Sequence, residues 1–252
     1  MKGVLDMDRY VLEVCCGSVD DVLQAQRGGA DRVELNSCLM FGGLTPSIGE
    51  LIAAKRFSSL PVMTMVRPRQ AGFCYTGAEY ATALADAEKL LEYGSDGLVF
   101  GFLKSDGSLD IERTRELARI AADKTKVFHR AIDVCPDWKK LLSQLIEIGI
   151  DRVLTSGQAP DVFYGVDVIR EMMDFAQGAI EIMPGAGVNL QNVDKIVEAT
   201  GCRQIHVARF RDCADASTAN NRDIFFGGAL YPPEDRYSMI DGDYIVRIRE
   251  RL

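Results

Sequence analysis

Histidine is scarce in this chain, with two in 252 residues, and no Cys-x-x-Cys pair occurs. Zinc sites of the finger type are therefore excluded. The seven cysteines (15, 16, 38, 74, 135, 202 and 213) are odd in number and scattered. With no secretory leader to carry them into an oxidising compartment, they are expected as reduced thiols in the cytoplasm. Residues 1–9 carry too many charges for a signal peptide. No run of about 18 apolar residues is present to span a membrane. Basic charge is also in deficit: 29 Lys and Arg against 37 Asp and Glu leave a net charge of −8. A general nucleic-acid or anionic-membrane surface is excluded, because phosphate binding needs a basic face. No Gly-x-Gly-x-x-Gly turn follows the first strand pattern, and no linker-like stretch interrupts the chain before residue 208.

What is present is a repeated phrase. Residues 28–35 read Gly-Gly-Ala-Asp-Arg-Val-Glu-Leu, 94–101 Gly-Ser-Asp-Gly-Leu-Val-Phe-Gly, and 149–157 Gly-Ile-Asp-Arg-Val-Leu-Thr-Ser-Gly. Residues 201–208 are a degraded copy. Each follows a helical pattern, at 20–27, 80–92, 138–148 and 191–200. The glycine suits the left-handed position that ends a helix, and the β-branched run after it is a strand. The spacing of about 50 to 65 residues suits two strand–helix units per repeat. Intervening strands fall where this requires, at 11–15, 62–67, 126–130 and 180–184. Eight strands alternating with helices predict a single (β/α)8 TIM-barrel domain, the barrel at about 11–208. An open doubly wound sheet is the runner-up. An extension over 209–252 is expected to be irregular up to 236 and to end in a helix at 243–252. The apolar stripe of that helix would pack on the barrel or on a second copy of the chain, making a homo-oligomer.

In such a barrel the carboxyl ends of the strands share one face. They deliver Glu13, Cys15 and Cys16, then Glu34 and Asn36, then Arg67-Pro68-Arg69, then His129, Arg130 and Asp133, then Ser156, then Gly185 and Gly187, and finally His206. Strand period places Glu13 with Cys15 and Glu34 with Asn36. For His129 and Arg130 it allows only one to point squarely inward unless the strand bends, with Asp133 as the partner of one of them. The structural alternatives are plain: Glu13 and Glu34 pair with arginines across the barrel, and the cysteines and His206 are inert core residues. The chemical reading is a pocket for a small anion. Arg67, Arg69 and Arg130 would hold negative charge, Glu34 or His129 would act as general base, and Gly185–Gly187 would cradle an anion ahead of a helix. No Ser–His–Asp arrangement, metal triad or strand-end lysine names a reaction.

The motifs Leu12-Glu13-Val14-Cys15, Gly29-Ala30-Asp31-Arg32-Val33-Glu34-Leu35 and Gly42-Gly43-Leu44-Thr45-Pro46-Ser47 resemble the opening of the CutC family of copper homeostasis proteins. Arg67-Pro68-Arg69, Gly72-Phe73-Cys74-Tyr75, Phe128-His129-Arg130-Ala131-Ile132-Asp133 and Leu154-Thr155-Ser156-Gly157 continue it in order, to about residue 208. The resemblance implies a TIM barrel in the cytoplasm, a role in copper homeostasis, and copper(I) binding by cysteines near the first two strand ends. The first of these cysteines carries over to Cys15. Where copper-binding members have the second, this chain has Asn36, with Cys16 and Cys38 nearby but out of register. Two functions are thus expected to compete: copper(I) binding near Cys15, and an enzyme acting on a small anionic molecule.

Overall fold

The computed structural model describes residues 10–227 and 232–252, so the reading of residues 1–9 falls outside the described part. Eight short parallel strands alternate with helices. In chain order they are β1 (Val11–Cys16), α1 (Val19–Arg27), β2 (Arg32–Leu35), α2 (Ile48–Phe57), β3 (Val62–Met65), α3 (Gly77–Glu92), β4 (Gly97–Phe100) and α4 (Ile111–Ala121). They continue with β5 (Thr125–Phe128), α5 (Trp138–Ile148), β6 (Arg152–Thr155), α6 (Val166–Ala176), β7 (Glu181–Pro184), α7 (Val193–Thr200) and β8 (Gln204–Val207). Each strand from β1 to β6 pairs with the next in sequence, and β1 also pairs with β8, giving the order β7-β6-β5-β4-β3-β2-β1-β8. β7 and β8 lie against each other at the seam without a registered ladder, so the barrel is nearly closed.

Local chemistry sets the boundaries. Ser47 with Glu50 and Thr76 with Glu79 form reciprocal capping boxes that start α2 and α3. Gly149 and Gly201 end α5 and α7 with positive φ, a conformation that costs other residues energy.

Strand parity divides the side chains. One set faces the helices: Leu12, Val14, Cys16, Val33, Leu35, Leu98, Phe100 and Phe128 join the helix residues in the main apolar core. Burying each large aliphatic or aromatic side chain there is worth about 1.5–3 kcal/mol. The other set fills the barrel. Its β3–β5 side is apolar, with Met63, Met65, Val99 and Val127 in one cluster. The side formed by β1, β2, β6 and β8 is polar, with Glu13, Arg32, Arg152, Gln204 and His206 buried together.

The extension differs from expectation in one respect. Phe210–Ala214 and Arg236–Ile240 form an antiparallel pair, β9 and β10, where irregular chain was expected. The terminal helix α8 (Gly242–Arg249) packs on α1: Ile245 and Ile248 are fully buried, and a Cβ on Gly28 would meet Ile245. The apolar stripe that suggested a second copy is thus used within the chain.

Candidate functional site

Register explains which groups meet. Glu13 lies between Arg32 on β2 and His206 on β8, its Cα partner on either side. Its carboxylate accepts from Arg32 Nε, and its Oε1 lies 2.8 Å from His206 Nδ1. Arg32 also donates to Gln204 Oε1 at 2.5 Å. One step further along, Cys15 lies beside Glu34. Cys15 Sγ is 4.0 Å from Glu34 Oε1, and Asn36 Nδ2 donates to Glu34 Oε1 at 3.0 Å and to Cys15 Sγ at 3.5 Å. Ligand atoms of Cys15, Glu34 and His206 all lie within 4.8 Å of one another.

Charge follows from this packing. Burial opposes ionisation of Glu13, yet Arg32 and His206 hold its pKa well below the carboxylate range. Burial likewise pulls His206 down. Glu34, Cys15 and Glu13 together outweigh it and raise the imidazole well above its usual value. Burial raises Glu34, with Glu13 adding to it against His206, Asn36 and Arg32. Burial also raises the Cys15 thiol, and the charge of Glu34 adds to the effect against the His206 hydrogen bond.

Above this layer opens a cavity of about 430 Å³ at the carboxyl ends of the strands. Cys15, Glu34, Asn36, Arg67, His129, Arg130, Gly187 and His206 line it, together with apolar Leu39, Met65, Phe73, Leu154, Val188 and Phe210. Strand β5 ends at Phe128, and the chain turns at once into a short 3₁₀ helix, Arg130–Val134. That bend brings both His129 and Arg130 to the cavity. His129 is buried. Its Nδ1 accepts from Ala131 N, its Nε2 has no partner, and burial with the Arg67 charge lowers its pKa to about 3.

Other expected site residues also hold the loops and strands of the barrel mouth together. Arg67 is buried and donates to the carbonyls of Phe41, Gly43 and Ala71, so it ties two loops together. Arg69 lies outside the cavity, bonded to Glu79 and to the carbonyls of Gln70, Gly72 and Cys74. Asp133 accepts from Arg130 Nε, Thr155 Oγ1, the Ser156 amide and hydroxyl, and the Gln158 amide, which pins β5 to β6. The Ser156 amide donates to Asp133, while its hydroxyl accepts from Arg130 and has Ala159 O at 2.6 Å and Asp133 Oδ2 at 2.9 Å as alternative acceptors for its one proton. Gly185 closely approaches Leu154 and His206. Gly187 has positive φ and packs against the Asp161 carboxylate, an acidic neighbour unsuited to an anion cradle. The helix after it starts at Val193, with the Asn189 and Asn192 side chains bonded to Gly187 O. Cys16 faces the helix layer by parity, and Cys38 is exposed on a left-handed residue before a short 3₁₀ turn.

Two cavity residues, Phe73 and Phe210, and Arg32 in the layer beneath carry weak sequence signals. Phe73, in the loop after β3, has its ring 4.7 Å from that of His129 and 5.5 Å from Arg67 Cζ. Arg32 is the partner of Glu13, and Phe210 enters the rim from the extension. Only Arg32 was recoverable from sequence, because it shares the inward parity of Glu34.

Eight parallel strands with polar groups gathered in a cavity at their carboxyl ends define a (β/α)8 barrel with an open, polar-lined mouth. The chain belongs to the CutC family, whose model matches residues 10–210. A CutC family protein of Treponema denticola is 48% identical over 98% of this chain and 100% of its own length. A mouse relative, named a copper homeostasis protein cutC homolog, is 36% identical over 92% of this chain and 85% of its own. The crystal structure of CutC from Streptococcus agalactiae superposes with a TM-score of 0.75 at 32% identity, covering 78% of this chain and 97% of that one. An aldolase at 18% identity and TM-score 0.60 shares the barrel fold alone. Among the described residues no helix is long and apolar enough to cross a membrane.

Proposed function

We propose that this protein takes part in copper homeostasis in the cytoplasm by binding copper(I) as cargo through Cys15 and His206. One observation carries the reading: the ligand atoms of Cys15, Glu34 and His206 converge within 4.8 Å at the barrel mouth. A thiolate and an imidazole are a donor pair suited to copper(I), whereas a carboxylate is a harder donor. Glu34 is therefore a neighbouring charge more than a ligand. Because His206 Nδ1 faces Glu13, Nε2 is the ring nitrogen left for the metal. Glu13 then acts as the outer carboxylate that orients a metal-binding histidine. Asn36 contributes no metal bond on this reading and instead hydrogen-bonds Cys15 and Glu34. Family membership and the name of the mouse relative support the role in copper handling.

The test is a copper(I) titration in competition with bathocuproine disulfonate. The native chain is expected to take up one equivalent. Cys15→Ser is expected to weaken binding by at least about 100-fold, more than loss of an outer-sphere partner costs. Binding that survives this substitution unchanged, or no binding at all, would reject the proposal.

A further inference from the structure

The cavity is larger than a metal ion needs, and four buried polar atoms of its lining have no partner: His129 Nε2, Arg67 Nε, Glu34 Oε2 and Asn36 Oδ1. His129 is 4% exposed and its Nε2 has no partner. Since Nδ1 accepts the Ala131 amide proton, the neutral ring carries its own proton on Nε2. This is a fixed, buried N–H donor at the cavity wall. Leaving such a donor unpaired leaves the desolvation of a polar group uncompensated, which a ligand acceptor would offset. Glu34 is 3% exposed, and its Oε2 is a second unpartnered atom, an acceptor. Beside His129 stands Arg67, whose guanidinium meets only carbonyl oxygens and has no carboxylate partner among the described residues. A buried positive charge without a counterion favours an anion nearby. Phe73 lies against both His129 and Arg67, and Met65, Leu154 and Val188 complete an apolar wall. A volume of about 430 Å³ is within the range of small-molecule sites.

We propose that the barrel mouth binds a small hydroxycarboxylate, its carboxylate at the His129 Nε2–H and Arg67 end and its hydroxyl donating to Glu34 Oε2. A carboxylate fits better than a phosphate dianion. The cavity offers two idle N–H donors, His129 Nε2 and Arg67 Nε, and one uncompensated charge, and its glycine turn faces the Asp161 carboxylate.

The inference goes beyond the copper reading and is tested without copper. Calorimetric titration of the metal-free chain with glycerate is expected to give one saturable site with Kd of about 1 mM or tighter. Propionate, lacking the hydroxyls, and propane-1,2-diol, lacking the carboxylate, are each expected to bind at least about tenfold more weakly. His129→Phe is expected to lose the site. A readout that needs no variant is ¹⁵N imidazole resonance, simple in a chain with two histidines. The His129 Nε2–H signal is expected to shift in saturable fashion with glycerate, with Nε2 remaining protonated. No saturable heat with glycerate, tighter binding of inorganic phosphate or propionate, or an unmoved His129 signal would each overturn the proposal. Failure here leaves the copper titration untouched, and failure of the copper titration leaves this result standing.

Discussion

Glu13→Gln is expected to cost the fold about 3–5 kcal/mol, the usual loss when one member of a buried ionic network is removed. Glu13 is 1% exposed and serves two partners at once, Arg32 Nε and His206 Nδ1. Glutamine keeps the shape and removes the charge. Arg32 would then retain its bond to Gln204 but lose its counterion inside the barrel. His206 would lose one of the groups that raise its pKa. The same change has a pH signature. The Glu13 pKa is lowered in the folded chain, so its contribution is complete above the unfolded carboxylate value. It is lost as the pH falls through the folded value. The native chain should therefore lose stability in acid more steeply than the variant. Urea melts between neutral and acid pH measure both effects. A variant within about 1 kcal/mol of the native chain at neutral pH would show that the network contributes little.

Copper(I) affinity should rise steeply with pH. Burial and the Glu34 charge hold the Cys15 thiol protonated above its ordinary range, and the surrounding groups keep His206 protonated well above its own. The metal must displace both protons, because thiolate and neutral imidazole are the binding forms. Each displaced proton strengthens apparent binding by about tenfold per pH unit below the corresponding pKa. Competition titrations across pH 6 to 8 should therefore show a slope approaching about two decades per unit. A flat profile would mean that neither group binds the metal in the form assigned. His129 contributes no slope, because its pKa of about 3 leaves it neutral throughout this range.

The barrel itself was legible because each repeat carries both of its signals locally: a glycine that ends a helix and a β-branched run that starts a strand. The alternation of Glu13 with Cys15 and of Glu34 with Asn36 also followed from strand period, and so did their shared inward face. Strand ends were less legible. Arg67 and His129 fall within strand patterns in the sequence, yet β3 stops at Met65 and β5 at Phe128, where the chain turns to build the mouth. His129 and Arg130 could both line the cavity only through that turn. For the arginines, sequence displays charge and hides carbonyls. Arg67 and Arg69 are occupied largely by backbone oxygens that no residue name reveals. The β9–β10 pair was missed because its residues are mostly exposed and its two strands are far apart in sequence. The role of His206 depended on register, since only the β1–β8 pairing sets it opposite Glu13.

On the copper proposal this chain handles copper(I) with one cysteine and one histidine, Cys15 and His206, while Asn36 only hydrogen-bonds the thiol. Copper K-edge X-ray absorption of the copper(I)-loaded protein tests it most directly. One sulfur per copper, with nitrogen completing the shell, is the predicted result. Two sulfurs per copper would contradict it.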